Sequence, residues 1–275
     1  MRTIQYNVKC PEVIILCELL NKIGFQLNVS DSFTLVVDAA VKDFQLKNNL
    51  VVDGVVGPKT WSKLYELQPN LTNYNSKFLS EQDLIDFSNL YNVDLAAIKA
   101  VNQVESSGKG FLLSGKPKIL FEGHIFWKEL EKRGVNPASL VNGNQDVLYK
   151  NWTKNFYVGG EGEHDRLQKA ISIIPGNIGP EAALASASWG CFQIMGYHAT
   201  NIGYSSISEF VDKMYISERE HLLALGRFLE VHSANLISLL KDKNWDRFAY
   251  YYNGAGYKSN KYDEKLASAY RKYSN

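Results

Sequence analysis

Two glutamates, Glu105 and Glu122, stand in one stretch, Ile98–Trp127, IKAVNQVESSGKGFLLSGKPKILFEGHIFW. Two carboxyls held on rigid elements can cleave a glycosidic bond. One stays protonated and gives its proton to the leaving oxygen, while the other stays charged to stabilise the sugar cation or activate water. In a chain with 29 acidic residues, the plain alternative for either glutamate is a solvated surface charge. Their surroundings argue for chemistry. Ile98, Val101 and Val104 recur at helical spacing, and Glu105-Ser106-Ser107-Gly108 stops the helix. Glu105 therefore falls at a helix C-terminus, where the macrodipole disfavours negative charge and raises a carboxyl pKa. The sequence GFLL, a turn at Ser114-Gly115-Lys116-Pro117 and then KILF read as a hairpin. It delivers Glu122 beside His124.

The elements that must position these residues continue downstream. A helix runs on from Glu122 through Ile125, Phe126 and Leu130 to Arg133-Gly134, and residues 136–156 read as an irregular excursion. Helices are expected over His164–Ile174 and Glu181–Ala187, with the Pro- and Gly-bearing residues 173–180 as a break. Ser217-Glu218-Arg219-Glu220 is a capping box that opens one long helix carrying Leu222, Leu225, Leu229, Leu236 and Leu240. Trp245–Tyr252 is helical and runs into Asn253-Gly254, and a last helix lies near Tyr262–Tyr270.

Three segments in order carry a resemblance: VNQVESSGKGF with KPKILFEGHIFW, then ASWGCFQIMGYHA, then YYNGAGY. Together they resemble the N-acetylmuramidase domain of bacteriophage endolysins and related bacterial cell-wall enzymes. The resemblance implies a lysozyme-like fold and cleavage between N-acetylmuramic acid and N-acetylglucosamine, with Glu105 as general acid and Glu122 as the second catalytic carboxylate. It also implies that Ser106, His124, Ser188, Gln193, Tyr252 and Asn253 face the substrate cleft, Ser188 and Gln193 hydrogen-bonding Glu105 or sugar. The structural alternatives are a buried, satisfied Gln193 and a helix cap made by Gly254. A lytic transglycosylase would share these motifs but let the muramic 6-hydroxyl attack in place of water. A second carboxylate at Glu122 favours hydrolysis.

Residues 1–67 form a separate small helical unit, with Pro11 in a first turn, an apolar stripe from Val13 to Ile23, and a second helix from Thr34. The segment NNLVVDGVVGPKTW resembles the type 1 peptidoglycan-binding domain. That likeness implies wall contact through Asp53, Gly54, Gly57 and Thr60; the structural alternative is that these four shape a turn and cap a helix. Val29–Phe33 departs from the glycine-bearing pattern where a first repeat would stand. The polar residues 68–79 read as a linker to a catalytic domain over 80–275.

Composition narrows the remaining classes. Thirty basic against 29 acidic residues give a net charge of +1 and no basic run, which argues against nucleic-acid binding. No window is apolar over the length of a membrane span. The first residues read as a mature helix and not as an export signal, so synthesis in a host cytoplasm and passage through a membrane pore to the wall are the expectation. Cys10, Cys17 and Cys191 form no zinc-like set, and reduced thiols are the default. Cys191 near His198 admits a cysteine peptidase, which thiol alkylation would inactivate; five scattered histidines make no H-E-x-x-H zinc site. A non-catalytic wall-binding protein is the third class, and it would clear no peptidoglycan. The expectation is thus a mostly α, two-domain monomer: a helical-bundle wall-binding module and a lysozyme-like domain with a short β-hairpin. It binds peptidoglycan without metal, cofactor or stable membrane association.

Overall fold

The computed structural model describes residues 3–67, 77–106, 110–112 and 114–274, and the chain divides into two units, Met1–Ser76 and Lys77–Asn275. Most of the stretch expected as a linker, up to Ser76, lies outside the described residues, as do Ser107, Gly108 and Leu113 of the region after Glu105.

The first unit holds α1 (Pro11–Lys22), α2 (Leu35–Lys47) and α3 (Pro58–Glu66). Each start follows from local chemistry: proline opens α1 and α3, and the Thr34 side chain accepts from the Val37 N–H at α2. Leu16, Leu19, Leu20, Phe44, Trp61 and Leu64 fill the core between them. The helices are tied by short extended pairings at Ile4 with Val56 and Lys9 with Ser32. The irregular Val29–Phe33 segment thus has a structural use, because Asp31 and Phe33 exchange backbone hydrogen bonds with the residues before α1.

The second unit runs through α4 (Glu81–Tyr91), α5 (Leu95–Glu105), β1 (Ile119–Phe121), α6 (Gly123–Lys132), α7 (Glu161–Ser172), α8 (Ile178–Ala185), β2 (Ala187–Trp189), β3 (Ile194–Met195), α9 (Ile207–Ile216), α10 (Glu218–Val231), α11 (Leu236–Lys241), α12 (Trp245–Asn253) and α13 (Tyr262–Ser274). The unit is mostly α, as expected, with one small three-stranded sheet. The core joins side chains from nearly every element, including Phe121, Phe126, Phe210 and Phe248, all fully buried. Burying each contributes about 2–3 kcal/mol before the entropic cost of ordering.

Three expectations need correction. The hairpin is short: Phe111 bridges Pro117, the Leu112 N–H gives to the Lys116 carbonyl and the Lys118 N–H to the Gly110 carbonyl, and the strand ILF runs on past it. Its partner is the distant β2, antiparallel with Leu120 opposite Ser188, and β3 completes the order β1-β2-β3. The long leucine helix is two helices, because Asn235 takes a left-handed backbone (φ 50°) and its side chain caps α11. Leu236 and Leu240 therefore belong to the second of them. Finally, α7 begins at Glu161 and α8 at Ile178, both three residues earlier than expected, and α8 carries Pro180 in its first turn, where no N–H partner is lost.

One buried ion pair fixes the loop beneath the sheet. Glu163 is fully buried and Arg166 nearly so, with Nη1 and Oε2 at 2.8 Å. Glu163 accepts from the backbone N–H groups of Phe121, Val158 and Gly159. Arg166 donates to the carbonyls of Phe121 and Asp146. Strand β1, the 146–149 loop and the 157–159 loop therefore share one electrostatic anchor. Removing one partner of such a pair leaves a buried charge alone. We expect Glu163→Ala to lower stability by about 3–5 kcal/mol, read from urea unfolding followed by circular dichroism, with Arg166→Ala comparable.

Candidate active site

Helix α5 owes its position to a capped start and an apolar face. Asp94 accepts from the Ala96 N–H at 2.9 Å, and Ala97, Ile98, Ala100 and Val101 are buried. It ends at Glu105 because Ser106 turns to extended backbone (ψ 123°). Helix α12 ends at Asn253, before Gly254 at φ 83°, so the cap read from the sequence is real and coexists with a role for the asparagine. The two helix ends meet. Asn253 Nδ2 donates to Glu105 Oε2 at 2.9 Å, while Glu105 Oε1 and Asn253 Oδ1 are buried atoms with no hydrogen-bond partner among the described residues.

The Glu105 carboxyl is pushed up to about 7, chiefly by burial, against the opposing pull of the Asn253 hydrogen bond and the Lys265 charge. Convergence of two helix C-termini acts in the same direction as burial. The sequence points to the helix end; the structure adds burial, the first cause of the shift. The same carboxylate and burial hold the Tyr252 phenol well above its ordinary range, so Tyr252 stays protonated beside Glu105.

Glu122 sits just before α6 on a different set of partners. The Tyr157 hydroxyl lies 2.8 Å from both carboxylate oxygens, and His124 Nδ1 is 3.3 Å from Oε2. Burial lowers the His124 pKa in spite of Glu122's attraction, which leaves a neutral ring at pH 7. Burial, and then Glu122, raise that of Tyr157. Tyr157 arrives here on the loop anchored by Glu163, and no spacing in the sequence points to it. Gly123 allows the approach of Tyr149, whose ring would lie 2.4 Å from any Cβ at that position. No hydrogen bond or ion pair among the described residues joins the Glu105 group to the Glu122 group.

Ser188 and Gln193 bond each other at 2.7 Å, and Gln193 Nε2 donates to the Gly190 carbonyl at 2.8 Å. Neither hydrogen-bonds Glu105; the pair closes the turn between β2 and β3, where Gln193 takes a left-handed backbone. Ser106 follows Glu105 and gives its N–H to the Asn102 carbonyl. The thiol of Cys191 is buried and meets His221, not His198, at 3.4 Å. Burial raises the thiol and lowers His221 to about 4, the reverse of what a thiolate–imidazolium pair requires. No cluster of three or more His, Cys, Asp or Glu able to hold a metal occurs among the described residues, and no helix there is long and apolar enough to cross a membrane.

In the first unit, Asp53, Gly54 and Thr60 converge on Gln45. Its Nε2 donates to Asp53 and Thr60, and its Oε1 accepts from the Gly54 N–H. Gly54 has φ +72° and Gly57 precedes α3, so these residues shape the loop and the start of α3. Gln45, buried on α2, is the hub that sequence reasoning missed.

Comparison with known proteins places both units. Residues 94–274 match the N-acetylmuramidase family and residues 10–64 a peptidoglycan-binding domain. A Burkholderia AP3 phage endolysin crystal structure matches with a TM-score of 0.69 and 36% identity over 99% of each chain. No curated protein matches the chain. The fold and site therefore define a glycoside hydrolase of bacterial cell wall. The chain belongs to the N-acetylmuramidase family, with a peptidoglycan-binding domain ahead of the enzyme.

The Glu105 environment has a consequence for stability. Its folded pKa exceeds the unfolded value of 4.5, so wild-type stability is full below that pH and falls as pH rises towards 7. Glu105→Gln removes this loss. The variant should gain about 3 kcal/mol over wild type between pH 4.5 and pH 8, measured by urea unfolding at both values.

Proposed function

We propose that the chain is a lytic endolysin that hydrolyses the β-1,4 bond between N-acetylmuramic acid and N-acetylglucosamine, with Glu105 as general acid. The observation that carries this is the partly buried Glu105 carboxyl, with a pKa near 7, at the meeting of two helix ends. Below neutral pH it holds a proton to give to the leaving glycosidic oxygen, and Asn253 fixes its orientation. As the bond breaks, positive charge grows on the ring carbon and ring oxygen. Glu122, held by the Tyr157 hydroxyl, is the carboxylate to stabilise that charge or to draw a proton from the attacking water. Tyr252 lines the Glu105 side. The wall-binding module would hold the enzyme on its insoluble substrate through the face around Asp53–Thr60. A monomer working without metal or cofactor, made in a host cytoplasm and reaching the wall through a membrane pore, completes the reading.

A lytic transglycosylase is the second reading, favoured by one observation: Tyr157 engages both oxygens of Glu122, as it would for a purely structural carboxylate. The two readings differ in product. Mass spectrometry of borohydride-reduced muropeptides should find reducible muramic ends; anhydro-muramic ends would assign the chemistry to Glu105 alone. Glu105→Gln should cost roughly 10²–10⁴ in rate. Wild-type turnover should fall as pH rises through about 7, because the essential acid is then deprotonated. Near-wild-type lysis by Glu105→Gln would end the assignment.

A further inference from the structure

Beside Glu105 begins a line of rings that runs from Tyr252 and Phe228, packed against the core, out to the exposed Tyr197 and Tyr251. Tyr252 meets Phe228 edge-on at 6.2 Å, Phe228 meets His198 at 5.1 Å, and His198 meets Tyr197 at 4.4 Å. A side branch leads from Phe228 to His232 at 5.7 Å and on to Tyr251 at 6.3 Å. Packed core aromatics such as Phe248 are fully buried, whereas Tyr197 and Tyr251 are each 39% exposed and Phe228, His198 and His232 are half-buried. The line is rigid, since Tyr252 stacks on buried Phe248 with the rings 12° from parallel. Its far ring, Tyr197, lines a cavity of about 560 Å³ whose wall also carries Asn177, Thr200 and Ser206.

Resting on the function proposed above, we propose that these rings are a saccharide track that holds the glycan strand extending from the bond at Glu105. Each hexosamine presents an axial face of C–H groups that packs on an aromatic ring, while its hydroxyl and acetamido groups need polar partners at the edge. Alternating aromatic faces and imidazole nitrogens supply both. A peptide or lipid would need a continuous apolar groove or paired backbone groups, which a row of separate rings with polar edges does not supply. Continuity with the catalytic glutamate identifies the occupant: whatever lies along the rings must be attached to the sugar being cleaved. The cavity beyond Tyr197 then takes the end of the strand, where amide and hydroxyl side chains replace water on the sugar's polar groups.

The test is steady-state cleavage by the full-length protein of peptide-free glycan strands, long strands being compared with a tetrasaccharide. Tyr197 is exposed and its truncation spares the core. With Tyr197→Ala, KM for long strands should rise roughly tenfold, the loss of one stacking contact, with kcat and tetrasaccharide turnover unchanged. Tyr197→Phe should restore the wild-type KM. An unchanged KM in Tyr197→Ala would overturn the track while leaving the catalytic assignment intact, and so would an equal loss in Tyr197→Phe, since the ring would then not be what binds. Wild-type protein that releases no new sugar ends at all would remove the proposed function, and the track with it.

Discussion

Glu163 and Arg166 carry opposite charges into the protein interior, and three chain segments are hung on them. Taking two charges out of water is expensive, and their attraction offsets the expense when further hydrogen bonds meet the remaining donors and acceptors. Here the carboxylate takes three backbone N–H groups and the guanidinium gives to two carbonyls, with Nε alone of its nitrogens lacking a partner among the described residues. The pair therefore stands in for secondary structure where there is little. Residues between α6 and α7 form a single short 3-10 turn, yet their loop must present Tyr157 to Glu122 with hydrogen-bond accuracy. Strand β1, which ends one residue before Glu122, hangs from the same two side chains.

The Glu105 side is built on the opposite principle. There Glu105 Oε1 and Asn253 Oδ1 are buried without partners among the described residues and two helix C-termini come together, so that the neutral acid is favoured over the anion. One neighbouring cation, Lys265, works against this and is outweighed by desolvation. The glutamates at 105 and 122 share a residue type and differ in everything around them. Glu105 takes one amide donor, Asn253, at the meeting of two helix ends, whereas Glu122 takes the Tyr157 hydroxyl on a loop.

Much of this was legible in the chain itself, for identifiable reasons. Helix α5 announces its end through an apolar period of helical spacing followed by serines and glycine, which places Glu105 without any knowledge of the fold. Asn253 was singled out by the resemblance of its Tyr-Asn-Gly segment to lysozyme-like enzymes, while local pattern gave only the glycine that ends α12. The β1 pairing was not legible, since the strand is three residues long and its partner lies beyond three intervening helices, leaving local pattern nothing to report. Glu163 and Arg166 escaped notice because acid and base three apart on a polar helix are what a solvated surface also looks like. Gln45 is hidden likewise: nothing about a glutamine late in α2 says that the loop after residue 50 folds back onto it. The break at Asn235 was lost because the leucine period continues across it in the sequence while the backbone does not.

Glu218 links two places that are far apart along the chain. Its carboxylate takes the N–H of Leu79 at 2.9 Å and of Gly110 at 2.6 Å, and its own N–H gives to the Lys77 carbonyl at 2.6 Å. Lys77 is where the second unit begins, and Gly110 closes the segment that leaves Glu105. One carboxylate at the start of α10 thus ties the beginning of the second unit to Gly110, a short way along the chain from Glu105.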